Sequence, residues 1–458
     1  MKKFKIIYLF IILTAFAACD RDELLDIQPY GEILPETVED FRLMLNERIE
    51  RVNSYEIDVY LSDEIKVPDG TYNSYINNST SRYYNALTWD EMFGYEDEED
   101  REYNQLYNAV LNSNMLIREI EGAVGSEAEK KKMIAELKVH RAFAYFSLVN
   151  LYSTQYVEAT AASAKGVPIK LDPDFSGATP RESVQAVYDV ILKDLSEAIE
   201  SNAMETSVPK LNWQASQAAA YALLARVKLQ MMNYSEALEA ANNCLGIYNT
   251  LYDSGTKEDD IPNYDNAEII FLKHRTEFDD WFATLYAADD LIALYDATND
   301  LRLSDRYEKD ATGYYFERDK NYRNPQSYTG CTVPEMYLIR AECYSRINSG
   351  ADFQKAIDDL NTLRRTRYVT GTYNDLTTVQ LPDAATTLAF VKEERRREMA
   401  DQGMRLFDIK RYIAEGDVIN IERIIEGELH TPANNNRLIV PIAHIVMQYA
   451  PEIEQSDR

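Results

Sequence analysis

The chain has 458 residues, and 77 Asp and Glu against 48 Lys and Arg give it a formal net charge of −29. Such an acidic protein repels phosphate, which argues against nucleic-acid binding and against docking on anionic lipid. Four His and four Cys leave little for a zinc site or a disulfide framework. Gly and Pro are sparse, which favours a helical protein.

The N-terminus has the pattern of a secretion signal. Lys2, Lys3 and Lys5 precede an uncharged, mostly apolar run over residues 6–18. As a helix this run would span only about 20 Å, which is too short for a bilayer core of about 30 Å. The sequence therefore predicts a signal peptide at residues 1–18.

The junction Phe16-Ala17-Ala18-Cys19 resembles a bacterial lipobox. The resemblance implies that Cys19 is acylated and begins the mature chain, 19–458. Several acyl chains, at about 0.8 kcal/mol per buried CH₂, would make a nearly permanent anchor in the outer membrane. The acidic residues that follow Cys19 resemble the surface-export signal of Bacteroidetes lipoproteins. The alternative is cleavage after Ala18 that leaves Cys19 an incidental thiol.

Helical periodicity dominates the mature chain. A first helix is predicted from about Pro35 to Ile49, and a long final helix from about Thr386 to Ile413. Between them we predict helical hairpins over residues 101–152, 182–231, 214–247 and 334–366. Ala225 and Ala237, twelve positions apart, follow the tetratricopeptide pattern that lets two helices touch closely. The prediction is an all-α fold of tetratricopeptide-like hairpins stacked in one scaffold.

Two segments lack this periodicity, residues 61–100 and 250–333. Both are polar and rich in aromatic residues. A segment of about 80 residues without periodicity is too long for a simple connecting loop in a compact domain, where such long loops usually have a function. We expect these irregular insertions to form the ligand surface on the helical scaffold.

The sequence carries no motif of a familiar enzyme class. A phosphate-binding glycine loop, a zinc-binding His pair and a nucleophile elbow are all absent from it. His140 lies on a core-facing helical stripe, which is more typical of a structural histidine than of a ligand. The acidic run Glu96–Asp100 is more typical of a solvated face than of a calcium site. No cofactor is predicted, although the sequence leaves open whether calcium braces a loop and whether Cys331 and Cys343 are bridged.

Five motifs resemble the SusD/RagB family of Bacteroidetes outer-membrane lipoproteins in both order and spacing. They are Arg141–Tyr152, Gly166–Ile169, Ala218–Leu245, Glu335–Glu342, and Glu394–Glu398 followed by Gly403–Arg411. In the last motif Glu394 and Glu398 lie one helical turn apart, and Arg405, Asp408 and Arg411 recur every third residue. We expect these charges to form a paired network that fixes the final helix against the repeats, and not a catalytic carboxylate site.

The resemblance implies a binding protein that is not an enzyme. Family members capture a polymer fragment at the cell surface and act as a lid over a SusC-like, TonB-dependent transporter. Flat aromatic rings can stack on the C–H face of a pyranose, while polar side chains reach its hydroxyl groups. By position relative to the helical units, Trp89 and the insertion at 280–315 resemble the ligand-facing loops of the family. The resemblance implies that Trp89, Trp281, Tyr314 and Tyr315 face the ligand, with Tyr83 and Tyr84 behind them. The alternatives are capture of oligopeptides and a helical-repeat scaffold for protein partners.

Overall fold

The computed structural model describes residues 35–48, 57–70, 82–94, 96–173, 179–256, 265–273, 285–317, 328–347 and 351–458. The predicted signal peptide, Cys19 and Trp281 lie outside these residues. The α-helices are α1 (Val38–Arg48), α2 (Ile57–Leu61), α3 (Arg82–Leu87), α4 (Arg101–Ile120), α5 (Glu127–Tyr152), α6 (Val184–Glu200), α7 (Gln217–Gln230), α8 (Tyr234–Ile247), α9 (Asp289–Ile292), α10 (Leu301–Arg306), α11 (Val333–Arg346), α12 (Phe353–Arg365), α13 (Ala384–Glu398), α14 (Arg405–Ala414) and α15 (His444–Tyr449). The strands are β1 (Ile65–Lys66), β2 (Ile269–Phe271), β3 (Tyr286–Ala287), β4 (Tyr307–Lys309), β5 (Tyr315–Glu317), β6 (Cys331–Thr332), β7 (Arg423–Ile425) and β8 (Glu428–His430). The predicted helical fold class is confirmed, because the strands are few and short.

The predicted hairpins correspond to packed helix pairs: α4 with α5, α6 with α7, α7 with α8, and α11 with α12. Ala225 and Ala237 are both fully buried, so α7 and α8 approach closely as their spacing predicted. Side-chain caps set where these helices begin. Ser216 accepts a hydrogen bond from the Ala219 amide, and Asn233 accepts one from the Glu236 amide.

The core follows α5, whose C-terminal half is buried throughout. From Val139 to Tyr152 each of its side chains is buried, Arg141 included. One hydrophobic cluster joins these residues to α6, α7, α8, α11 and the segment 438–442. A second, smaller cluster packs Val38, Phe41 and Leu45 of α1 against α4 and α5. The helical units are therefore joined through shared apolar contacts rather than through loops alone.

The prediction of one helix from Thr386 to Ile413 is wrong. The chain leaves the helix after Glu398 and re-enters it at Arg405. Asp401 and Gly403 have φ angles of +61° and +71°. A right-handed helix cannot continue through such left-handed residues, and glycine adopts this conformation without a steric penalty. The break redirects α14 across the repeats.

The predicted charges are all paired, but in separate clusters. Glu394 and Glu398 lie in a buried cluster, whereas Arg405 is half-buried and pairs with Asp63 at 2.7 Å. Glu398 accepts from Arg302 at 2.7 Å and from Arg367 at 2.9 Å. Glu394 accepts from Arg302 at 2.8 Å and also pairs with Arg364. These guanidinium groups lower the pKa of Glu398 to about 2 although burial opposes ionisation. A carboxylate held ionised in this way cannot donate a proton near neutral pH.

A second cluster of ion pairs ties α14 to α11 and α13. Arg411 donates to Glu342 at 2.5 Å and to Asp408 at 3.1 Å. Arg395 of α13 donates to Asp408 at 2.7 Å. The pKa of Glu342 is lowered to about 2, against the effect of burial, by the cationic side chains around it. These ion pairs therefore join α13 and α14 to each other and join α14 to the repeat that contains α11.

The cysteines of the described chain are free thiols. Cys331 and Cys343, for which the sequence left a bridge open, are both buried and unbridged, as is Cys244. Burial raises the pKa of Cys331 to about 12. These side chains behave as small apolar groups within the helical core.

Candidate functional site: a tyrosine platform on a four-stranded sheet

The two irregular segments together form a four-stranded sheet. One strand comes from segment 61–100 and three come from segment 250–333. The strand order is β1-β3-β5-β4, with antiparallel pairing throughout. Lys66 of β1 lies opposite Tyr286, and Tyr286 lies opposite Phe316 of β5. An apolar cluster that includes Leu291 and Tyr307 supports the sheet region. The sheet thereby holds side chains from the two irregular segments side by side.

Two tyrosines share this surface. The ring centroids of Tyr286 and Tyr314 are 5.2 Å apart with an interplanar angle of 31°. Tyr314 is 39% exposed, whereas Tyr286 is half-buried. The Nζ atom of Lys66 lies 3.9 Å from the ring centroid of Tyr314 and 2.7 Å from Oδ2 of Asp289. A cation over a tyrosine ring is attracted to its negative face. We call Tyr286, Tyr314, Lys66 and Asp310 the tyrosine platform.

Asp310 holds the ring of Tyr286 and the backbone of Tyr314. Its Oδ2 accepts from the Tyr286 hydroxyl at 2.6 Å. Its Oδ1 accepts from the hydroxyl of Thr312 at 2.6 Å and from the Tyr314 amide at 3.1 Å. These hydrogen bonds lower the pKa of Asp310 to about 2, with that from Thr312 the largest cause. The turn from β4 to β5 is thus pinned by one ionised carboxylate, which orders the platform before any ligand arrives.

The platform offers two kinds of contact. Aromatic faces and edges can pack against apolar C–H groups. Tyrosine hydroxyls, a lysine ammonium and the Asp310 carboxylate can exchange hydrogen bonds with hydroxyl or amide groups. This combination fits a ligand that is apolar on its faces and polar around its rim.

The structure brings only some of the predicted aromatics to this surface. Tyr314 belongs to the platform, and Tyr315 is half-buried with the Nζ atom of Lys309 5.2 Å from its ring centroid. Tyr84 is half-buried on α3, where burial raises its pKa. Tyr83 is also on α3, and its side chain lies outside what the structure describes. Tyr314 is the predicted ring with the largest accessible surface among those described.

The prediction that Trp89 faces the ligand is wrong, because its indole is buried within the protein. The side chain is 2% exposed and its Nε1 donates to the Leu61 carbonyl at 3.0 Å. The guanidinium of Arg423 covers the ring at 4.6 Å from its centroid. Both the polar edge and a face of the indole are therefore occupied by the protein itself.

Sequence reasoning missed Lys66, Tyr286 and Asp310. Lys66 lies 223 positions before its partner Asp289, so no local pattern joins it to the platform. The stretch Asp310-Ala-Thr-Gly313 between two aromatic runs is a hairpin signal that was available.

The predicted structural role of His140 is confirmed. The ring is 1% exposed and its Nδ1 is 2.6 Å from Nζ of Lys273. Burial lowers the pKa of His140 well below its usual value, and the nearby Lys273 acts in the same direction. Within the described ranges, no group of three or more His, Cys, Asp or Glu side chains is arranged to hold a metal ion. Over the same ranges no helix has the length and apolar character needed to cross a membrane.

Family models match most of the chain. Residues 23–229 match a family described as starch-binding and associating with the outer membrane. Residues 299–452 match the SusD family. No curated protein matches the chain.

Solved structures share the fold. A SusD superfamily protein from Bacteroides thetaiotaomicron is 20% identical, with a TM-score of 0.73, covering 92% of this chain and 100% of that one. A SusD superfamily protein from Bacteroides fragilis is 21% identical, with a TM-score of 0.72 and coverage of 92% and 100%. A SusD-like carbohydrate binding protein from Bacteroides vulgatus is 17% identical, with a TM-score of 0.68 and coverage of 91% and 97%. With the motifs, the helical fold and the two family matches in agreement, the chain belongs to the SusD family.

Proposed function

We propose that this protein captures oligosaccharides at the bacterial cell surface, and that the tyrosine platform is one of its glycan contacts. The family to which residues 23–229 belong is described as starch-binding. The observation that carries the proposal for this site is the pair of rings at 5.2 Å, held on a sheet by Asp310.

The chemistry of the platform supports a sugar ligand. A pyranose has C–H groups on its faces and hydroxyl groups around its rim, so it needs ring surface and hydrogen-bonding groups together. Each aromatic contact contributes about 0.5–1.5 kcal/mol beyond buried area. A few such contacts give weak affinity, with Kd from roughly millimolar to micromolar. Weak capture suits a protein that must pass its ligand on.

The proposed location follows from the N-terminal sequence. Acylation of Cys19 would anchor the protein in the outer membrane, facing outward. From there it would act as a lid that delivers the glycan to a SusC-like, TonB-dependent transporter. In this role the chain binds and releases its ligand and carries out no chemistry on it.

Tyr314→Ala tests the platform. We expect the variant to bind soluble starch, or the best oligosaccharide of a glycan array, about fivefold more weakly, because one contact of about 1 kcal/mol is lost. Affinity gel electrophoresis measures the binding, and a thermal melt should show an unchanged Tm. Tyr449→Ala is the matched control, since Tyr449 is 84% exposed on α15 and lies outside the sheet.

Two results would contradict the proposal for this site. One is undiminished glycan binding by Tyr314→Ala. The other is an equal loss in Tyr449→Ala, which would make the effect non-specific. Binding of a peptide library without any glycan binding would favour the oligopeptide alternative.

A further inference from the structure

A separate cleft lies beside α14. Its volume is about 400 Å³, and it is lined by residues of segment 154–164, of α14 and of segment 435–439. None of these elements belongs to the four-stranded sheet. The volume falls within the range of about 300–1,000 Å³ that is usual for small-molecule sites.

The lining combines polar and apolar groups. Hydroxyl and amide side chains come from Thr154, Thr160, Ser163, Asn435 and Asn436. Apolar surface comes from Val157, Ile413, Leu438 and Ile439, among others. The cleft can therefore hydrogen-bond a polyhydroxylated ring and also cover its C–H groups.

Lys410 is the one charged residue of this lining. It is 6% exposed, and its Nζ donates to the carbonyls of Asn150 at 2.5 Å and Ser153 at 2.7 Å. An ammonium has three N–H donors. The third has no acceptor among the residues that the structure describes, and no carboxylate there pairs with Lys410. Burial alone lowers the pKa of Lys410 to about 7.

Among the described residues Lys410 has no carboxylate partner, unlike two buried arginines of the repeats. Arg226 pairs with Glu335 at 2.6 Å, and Arg411 pairs with Glu342 at 2.5 Å. In a chain with 77 acidic residues, the lining of this cleft contains none. A buried cation without a counter-charge is costly, and an anion that reaches it recovers part of that cost.

We propose that this cleft binds an acidic monosaccharide unit, with the carboxylate of a uronic acid on Lys410 and its hydroxyl groups on the polar rim. The inference goes beyond the proposed function because it uses different residues. It can fail while the tyrosine platform binds a neutral glycan, and it can succeed if the platform does not.

The test compares glucuronate with glucose and acetate by isothermal titration calorimetry. We expect glucuronate to bind at least tenfold more tightly than either, because only glucuronate has both the carboxylate and the ring. Lys410→Met keeps the length of the side chain and removes its charge, and it should weaken glucuronate binding at least tenfold. Lys193→Met is the control, since Lys193 lies on α6 with its side chain 72% exposed.

A second variant tests glucuronate binding in the cleft if Lys410→Met does not fold. Ala414 is exposed and lines the cleft, so Ala414→Trp should block entry and abolish glucuronate binding. The proposal is overturned if glucuronate fails to bind, if glucose or acetate binds as tightly, or if a folded Lys410→Met or Ala414→Trp variant retains full affinity.

Discussion

The buried network on α13 makes the sharpest prediction for stability. Glu398 is 3% exposed and accepts from Arg302 at 2.7 Å and from Arg367 at 2.9 Å. Glu398→Gln keeps the size of the side chain but removes its negative charge. The guanidinium groups of Arg302 and Arg367 then remain buried without the negative charge of the Glu398 carboxylate. Removing one partner of a buried ion pair costs about 3–5 kcal/mol, and we expect that loss in the free energy of unfolding.

Urea denaturation of the wild type and two variants measures this loss. The matched control is Asp375→Asn, because Asp375 pairs with Arg365 where the side chains are 48% and 55% exposed. A solvent-exposed pair contributes little because water screens its charges, so the control should lose far less stability than Glu398→Gln. Equal costs for the two variants would refute the view that the network fixes α13 against the repeats.

The remaining predictions concern acidity and close packing. The pKa values of Glu342 and Glu398 are lowered from 4.5 to about 2 in the folded chain, so their contribution to stability is complete above pH 4.5 and is lost as the pH falls towards 2. Unfolding measured between pH 6 and 2.5 should show this decline, with a shallower slope in Glu398→Gln; an equal slope would contradict the assignment. Gly330→Ala should destabilise the fold by about 1–3 kcal/mol, because its Cβ would lie 1.7 Å from the Phe271 carbonyl oxygen. Gly246→Ala on α8 meets no atom within 4 Å and should stabilise the protein by about 0.5–1 kcal/mol in the same assay; the reverse order of the two variants would refute the packing argument.

Local patterns were sufficient to predict the helical scaffold. Small residues such as Ala225 and Ala237 mark where two helices touch, and the one-turn spacing of Glu394 and Glu398 places both on one face of α13. Helix boundaries were within a few residues wherever the periodicity was strong. The break before α14 was missed because the charge motif continues through it, although Gly403 is a helix-ending signal.

The candidate site was harder to predict because it depends on contacts that are distant in sequence. Tyr314 was predicted to face the ligand from its place in an aromatic insertion, and the structure leaves it exposed on the sheet. Its neighbour Lys66 comes from another part of the chain, and only strand pairing brings it to the ring. Trp89 was wrongly assigned because a loop tryptophan has the same local signature whether it faces solvent or is covered by a distant arginine, here Arg423. Composition shows that the segments are rich in aromatic residues. It does not show which rings are exposed to solvent and which are covered by other side chains.

The central claim is that this protein is a surface glycan-binding member of its family. The most direct measurement applies the purified mature chain to an array of oligosaccharides and, in parallel, to a peptide library. We expect saturable binding to at least one glycan class with Kd between roughly millimolar and micromolar, and no binding to the peptides. Peptide binding without glycan binding, or no binding to either, would contradict it.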